Sequence, residues 1–301
     1  MINTGSNPLI KSVKTDMINI NLQIKDSYKP MLRDNLKKLS LEYGINSFSK
    51  YGYTNVIQLL KEEQSKTILF CIDHRCSDRA YIHLQLNPSE LDKTLTKSLR
   101  GDLDYLLGDK YQEFFNYSNV TRLDIAADFQ NLHIDDLIFM NPKLRRSGAF
   151  WDQHGNLKTL YLGHNKSKIQ MRVYDKTAQS RKNADDDSDQ DPVTRIEATV
   201  NPQCPLRDIH LISNPFEGLQ IYKLSHLIAD KRLPFSFCDS IHQRGLTATL
   251  KLLRPDEMLA VKAILKEHVY QDFPADNIFE QWKKSLRSLV PLKIADQQLA
   301  A

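Results

Sequence analysis

No apolar run in this chain approaches the roughly 18 residues that a membrane-spanning helix needs. The first residues, Met1 to Pro8, have neither the basic start nor the apolar stretch of a secretory signal. Cysteine is scarce. The four, Cys71, Cys76, Cys204 and Cys238, form no CxxC pair and no zinc-ligand spacing. They read as free thiols in a reducing compartment. Internal repeats and long low-complexity segments are missing too. A strong charge of one sign is also lacking, since the net charge is only +4. That balance hides a local feature. Asp185, Asp186, Asp187, Asp189 and Asp191 crowd one short polar run, and without them the chain would be more than twice as positive. The remainder is basic enough to meet nucleic acid, although basicity alone is weak evidence.

What is present suits a folded protein with a sizeable core: 301 residues, 41% hydrophobic and 26% charged. Met17 to Ile24 alternates apolar and polar residues and predicts a strand. Tyr28 to Tyr43 predicts a helix with Leu32, Leu36 and Leu39 on one face. Tyr53 to Leu86 reads as a strand meander, and Ser89 to Phe115 as helix with a break near Gly101. Four further strands are expected at Val120–Phe129, Leu157–Leu162, Ile169–Lys176 and Thr194–Val200. The turn-rich Gly163 to Lys168 closes a hairpin between the middle two. Helices follow from Pro255 to about His268 and from Asn277 to about Val290, the second with Phe279, Trp282, Leu286 and Leu289 turned inward. The expected class is α+β, with a largely antiparallel central sheet that bears the active site, flanking helices and a helical C-terminus. Residues 1–250 are expected to form the catalytic domain. Residues 251–301 are expected to form a helical segment packed on it.

Side chains alternate faces along a strand, so residues i, i+2 and i+4 share a side. One face of Val120–Phe129 then holds Arg122, Asp124, Ala126 and Asp128. One face of the next holds Arg172, Tyr174 and Lys176, and one face of the last holds Arg195, Glu197 and Thr199. Any one of these faces is unremarkable as a solvated sheet face. If the strands adjoin, the three together make a patch equipped for phosphodiester transfer. Asp124, Asp128 and Glu197 are hard oxygen ligands suited to Mg²⁺ or Mn²⁺. Arg172, Arg195 and Lys176 suit phosphate oxygens. Tyr174 supplies a hydroxyl nucleophile, which must be activated because free phenol titrates near pH 10. Tyr161 is a rival nucleophile, less favoured because Arg172 and Lys176 flank Tyr174 on its own face. Arg122, with Lys166 and Lys168 in the hairpin turn, is expected to contact DNA.

Three segments, Thr121–Asp128, Arg172–Lys176 and Thr194–Glu197, together with the Tyr161-Leu162-Gly163 step, resemble the trans-acting plasmid rolling-circle replication initiators. The resemblance covers roughly Thr15 to Leu250. It implies a Mg²⁺- or Mn²⁺-dependent nickase–ligase that cuts one strand at the double-strand origin. The enzyme becomes attached to the 5′ phosphate and leaves a 3′ hydroxyl as primer. On the motif match Tyr174 is the nucleophile, Asp124 and Glu197 are the leading metal ligands, and Asp128 is a third. The resemblance also implies a homodimer, recruitment of a host helicase, origin DNA in double-stranded and extruded single-stranded form, no membrane partner, and the bacterial cytoplasm. The acidic run from Asp185 to Asp191 departs from the pattern. No His–apolar–His motif occurs, which argues against the histidine-metal class of rolling-circle nucleases. Two other functions stay open on the residues alone. One is a conjugative or mobilisation relaxase with the same chemistry. The other is a non-catalytic DNA-binding initiator or repressor, which would have little use for three acids in a phosphate-facing patch.

Overall fold

The computed structural model describes residues 9–43, 48–59, 68–76, 78–130, 132–144, 146–178, 193–270 and 273–286. The chain divides into two compact units, each assembled from separate stretches: residues 1–13, 126–199 and 214–280 in the first, and 14–125, 200–213 and 281–301 in the second. The residues on both sides of position 250 therefore belong to one unit. The four cysteines are free. No helix among the described residues is long and apolar enough to cross a membrane.

The second unit is built on strands β1 (Leu9–Leu22), β2 (Phe48–Lys50), β3 (Tyr53–Leu59), β4 (Ile68–His74), β5 (Ile82–Leu86) and β6 (Asn119–Gln130), in the order β2-β3-β4-β5-β1-β6. Neighbours from β2 to β1 pair antiparallel, as expected of a meander. Strand β1 starts eight residues before the predicted start at Met17. Helices α1 (Lys29–Glu42) and α2 (Lys93–Leu107) contribute to this unit's core. Leu32, Leu36 and Leu39 on α1 are buried, as are Leu99, Leu103, Leu106 and Leu107 on α2. Asp92 caps α2 by accepting a hydrogen bond from the Leu95 amide at 2.8 Å. Gly101 does not break α2. The break falls at Gly108, whose φ of +56° lies in the left-handed region that glycine adopts without penalty. Helix α3 (Tyr111–Tyr117) follows it. Trp282 is fully buried, and its indole nitrogen donates to the Thr15 hydroxyl at 3.1 Å. Phe279 and Leu286 are buried as predicted, while Leu289 lies outside the described residues.

The first unit carries β7 (Leu137–Met140), β8 (Ser147–Trp151), β9 (Leu157–Leu162), β10 (Ile169–Asp175) and β11 (Val193–Val200). Its order is β1-β6-β11-β10-β9-β8. Gly163 closes the β9–β10 hairpin at φ +86°, where an added Cβ would stand 2.8 Å from the Ile169 carbonyl oxygen. A separate two-stranded sheet pairs β7 with β13 (Gln220–Lys223); the short β12 (Cys204–Pro205) pairs β6 in the second unit. Around the small sheet pack α4 (Leu224–Ala229), α5 (Phe235–Arg244), α6 (Leu246–Leu250) and α7 (Pro255–Glu267), burying Ile138, Leu227, Phe237, Ile241 and Leu265 among others. Each such side chain contributes roughly 1.5–3 kcal/mol when fully buried. The last helix, α8, spans Ala275–Ser285. Strands β7, β8 and β13 and helices α4 to α6 were not expected from the sequence. The fold class is nevertheless the expected one: a large antiparallel sheet, flanking helices and helices near the C-terminus.

Candidate active site

The acids, the tyrosine and Arg195 on the polar faces of β6, β10 and β11 are buried. Asp124, Asp128, Arg195 and Glu197 are each at most 5% exposed, and Tyr174 is 6% exposed. Burying a charge is costly unless it is paired and hydrogen-bonded, so each of these acids has found a cation.

Asp128 is the most heavily bonded. Arg195 grips it through two nitrogens, Nε to Oδ1 at 2.6 Å and Nη2 to Oδ2 at 3.0 Å. The Lys176 ammonium donates to Oδ2 at 2.7 Å, and the Ser12 hydroxyl donates to the same oxygen at 3.0 Å. Burial alone would raise this carboxyl's pKa. The hydrogen bonds and charges of Arg195 and Lys176 outweigh it and hold the group at about 2.

Glu197 forms a second cluster in the same unit. Its Oε2 accepts from Arg172 Nη2 at 2.8 Å and from the Tyr174 hydroxyl at 3.5 Å. The Arg172 guanidinium also lies over the Tyr174 ring, 4.6 Å from its centroid. Burial pushes the Tyr174 phenol above its ordinary range; Arg195 and Arg172 pull it down and Glu197 pushes it up. Arg172 Nε is a buried donor with no partner among the described residues. Tyr174 and Arg172 open on a cavity of 330 Å³ whose wall includes Thr159, Tyr161 and Lys158. Lys158 is the extra residue where the β8–β9 register shifts, and its ammonium pairs with Asp152 at 3.1 Å.

The predicted site residues thus assemble in part. Tyr174, Arg172, Lys176, Arg195, Asp128 and Glu197 lie together in the first unit. Asp124 belongs to the second unit, where Arg122 chelates it at 3.0 and 2.7 Å. Lys166 and Lys168 are exposed in the β9–β10 turn, as a DNA-contacting role requires. The acidic run Asp185–Asp191 lies outside the described residues.

Each of the three acids is paired with a cation in this arrangement. Both Asp128 oxygens are held by cations, and Glu197 and Asp124 are each closed by an arginine. Among the described residues no group of three His, Cys, Asp or Glu is placed to hold a metal ion. Sequence reasoning missed Ser12, which precedes the predicted start of β1. It also missed Tyr161 as a partner of Arg172. The two residues are directly opposed across β9 and β10.

No family model matches the chain. Three curated proteins from Staphylococcus aureus do, all named replication initiation protein. One is 24% identical over 163 residues, 50% of this chain and 49% of that protein. The others are 26% and 27% identical over 48% and 40% of this chain, 45% and 36% of theirs. The chain is similar to replication initiation proteins. That bears out the resemblance drawn from the β6, β10 and β11 motifs, and the match spans half or less of the length of each relative. Among solved structures, the rolling circle replication initiator protein from Geobacillus stearothermophilus aligns over 94% of this chain and 99% of its own, at 18% identity and a TM-score of 0.38.

Proposed function

We propose that this chain is a rolling-circle replication initiator that nicks one strand of origin DNA with Tyr174. The observation that carries the reading is the Tyr174–Arg172–Glu197 cluster, of which Tyr174 and Arg172 line the cavity. A hydroxyl stands beside a carboxylate acceptor, under a guanidinium that still has a donor to give. A phosphate oxygen satisfies that donor, as buried polar groups require.

The chemistry follows from these groups. The Tyr174 oxygen attacks phosphorus while the bond from phosphorus to the 3′ oxygen breaks. Burial keeps the phenol protonated at neutral pH, so attack needs a proton acceptor. The Glu197 carboxylate is placed for that at 3.5 Å. The departing 3′ oxygen takes a proton from water and is left as the hydroxyl that primes synthesis. The 5′ phosphate stays on Tyr174 as a phosphotyrosine, and return attack by a 3′ hydroxyl rejoins the strand. Arg172 and Arg195 offset charge on the phosphate oxygens as the bond is exchanged. Lys166 and Lys168 in the β9–β10 turn, and Arg122 in the second unit, contact the DNA backbone. A second copy of the chain, a host helicase and the bacterial cytoplasm complete the setting of such an initiator.

The test is nicking of supercoiled DNA from the chain's own element, in Mg²⁺, in Mn²⁺ and in EDTA. Wild type is expected to give open circles with protein on the 5′ ends, and the three buffers read the metal requirement. Tyr174→Phe is expected to lose both products while DNA binding persists. Full nicking by that variant, with loss in Tyr161→Phe, moves the nucleophile to Tyr161.

A further inference from the structure

The sheet face that carries Tyr174 continues outward beyond it. Across β9 and β10, Arg172 is opposite Tyr161 and Tyr174 is opposite Thr159. Across β8 and β9, Gly148 is opposite Tyr161 and Phe150 is opposite Thr159. Directly opposed residues share a face, so these six lie on one surface. Strand β8 ends the order on this side. Exposure differs widely across the surface. Phe150 is 63% exposed, the Arg172 side chain 35%, and Tyr174 6%. The cleavage step proposed above uses only the inner part.

The outer part is aromatic and open. The Phe150 and Tyr161 rings meet edge to face, with centroids 5.8 Å apart and planes 78° apart. Beside Tyr161, a Cβ added at Gly148 would meet nothing within 4 Å. A large exposed ring has no folding use at a sheet edge, where charged residues are the usual protection. It sits two strands from a buried tyrosine that shares its face, and its ring partner Tyr161 is directly opposed to Arg172, whose Nε is an unmatched donor among the described residues.

We propose that Phe150 and Tyr161 form a stacking platform for unpaired bases of the DNA strand whose phosphate is presented to Tyr174. The proposal rests on the functional reading above and adds to it the residues that grip the unpaired strand. Bases inside a duplex have both faces covered by their neighbours. Only unpaired bases offer a face to an aromatic ring, and aromatic rings beside backbone-holding cations are the usual means of gripping a single strand. Arg172 supplies that cation. It lies between Tyr161 and Tyr174, so a strand lying across the face has bases on the rings and a phosphate at the hydroxyl.

The test compares wild type with Phe150→Ala, Phe150→Leu and Phe150→Trp. The probes are a fluorescein-labelled 12-nucleotide oligo(dT) and a 12-base-pair duplex, followed by anisotropy. Phe150 is exposed, so the substitutions leave the core intact, and circular dichroism checks this. Phe150→Ala and Phe150→Leu are expected to weaken oligo(dT) binding by roughly 5- to 150-fold, the range for loss of one stacked base, with duplex binding unchanged. Phe150→Trp is expected to keep the affinity, and its added fluorescence is quenched by the oligonucleotide. Unchanged oligo(dT) binding in Phe150→Ala overturns the platform. So does an equal loss for duplex and single strand. Conversion of a dimer to a monomer by Phe150→Ala, with single-strand binding intact, assigns the face to a second copy of the chain and likewise overturns it. Supercoiled-DNA nicking by wild type runs in parallel. If wild type nicks while the variants bind oligo(dT) normally, the platform fails and the functional reading stands. If wild type binds oligo(dT) through Phe150 but never nicks, the platform stands and the functional reading fails.

Discussion

Replacing Asp128 by asparagine keeps the shape of the side chain and removes the charge that Arg195 and Lys176 share. Arg195 is 5% exposed, so it cannot turn to water for compensation. Removing one partner of a buried pair typically costs about 3–5 kcal/mol, because the other charge is left stranded. The titration gives an independent figure. Holding this carboxyl at about 2 instead of its ordinary 3.8 corresponds to about 2 kcal/mol at neutral pH. They point to a melting temperature lower by roughly 3–8 °C at pH 7. The sign with pH follows from the depressed pKa. The stabilisation is complete above the unfolded carboxyl's pKa near 4 and is lost as pH falls toward 2. Scanning calorimetry of wild type and Asp128→Asn in metal-free buffer should show a gap at pH 7 that closes between about pH 4 and pH 2. Equal stability at pH 7, or a gap that opens only when Mn²⁺ is added, would refute the ion-pair role and restore Asp128 to the metal ligands.

The other predictions concern residues elsewhere. His83 is buried beside Asn21, and burial lowers its pKa to about 4, so the folded protein binds this proton later than the unfolded chain does. Its contribution should therefore fall as pH drops from about 6.5 toward 4, and His83→Gln should flatten the stability-against-pH curve in that window. A curve unchanged by the substitution refutes it. Replacing the five aspartates between Asp185 and Asp191 with serine removes negative charge from a chain proposed to bind a polyanion. DNA affinity at two salt concentrations should hold or rise, and a marked loss would instead make the run part of the site.

The motif strands were legible in the sequence because alternation survives in them. Thr194 to Val200 puts Ile196, Ala198 and Val200 on one side and Arg195, Glu197 and Thr199 on the other, and only the inner extent of the strand needed the structure. Strand β8 was not legible, because Ser-Gly-Ala-Phe-Trp has no alternation and its burial is nearly uniform and exposed. Its place comes from pairing with β9, a contact between segments that local pattern does not encode. The helices around β7 and β13 were missed for a related reason. Leu224–Ala229 and Leu246–Leu250 are too short to display a helical period. They are held by tertiary packing.

The site itself was half legible, and the half that was not follows from burial. Strand parity placed Arg172 with Tyr174 and Arg195 with Glu197, but parity cannot say whether a polar face is wet. On a wet face the acids would be available to a metal. On a buried one each must be neutralised where it stands, and the structure neutralises all three with arginine or lysine. The same constraint separates the roles of two carboxylates that the sequence treated alike. Asp128 has every oxygen engaged by cations and so acts on Arg195 and Lys176, whereas Glu197 keeps the Tyr174 hydroxyl within reach of Oε2. A buried tyrosine next to a carboxylate is a poor way to fill a core, because the phenol and the acid both demand partners. On the proposed reading, it would hold the nucleophile protonated until a phosphate arrives to draw Arg172 away from Glu197 and leave that carboxylate a stronger base.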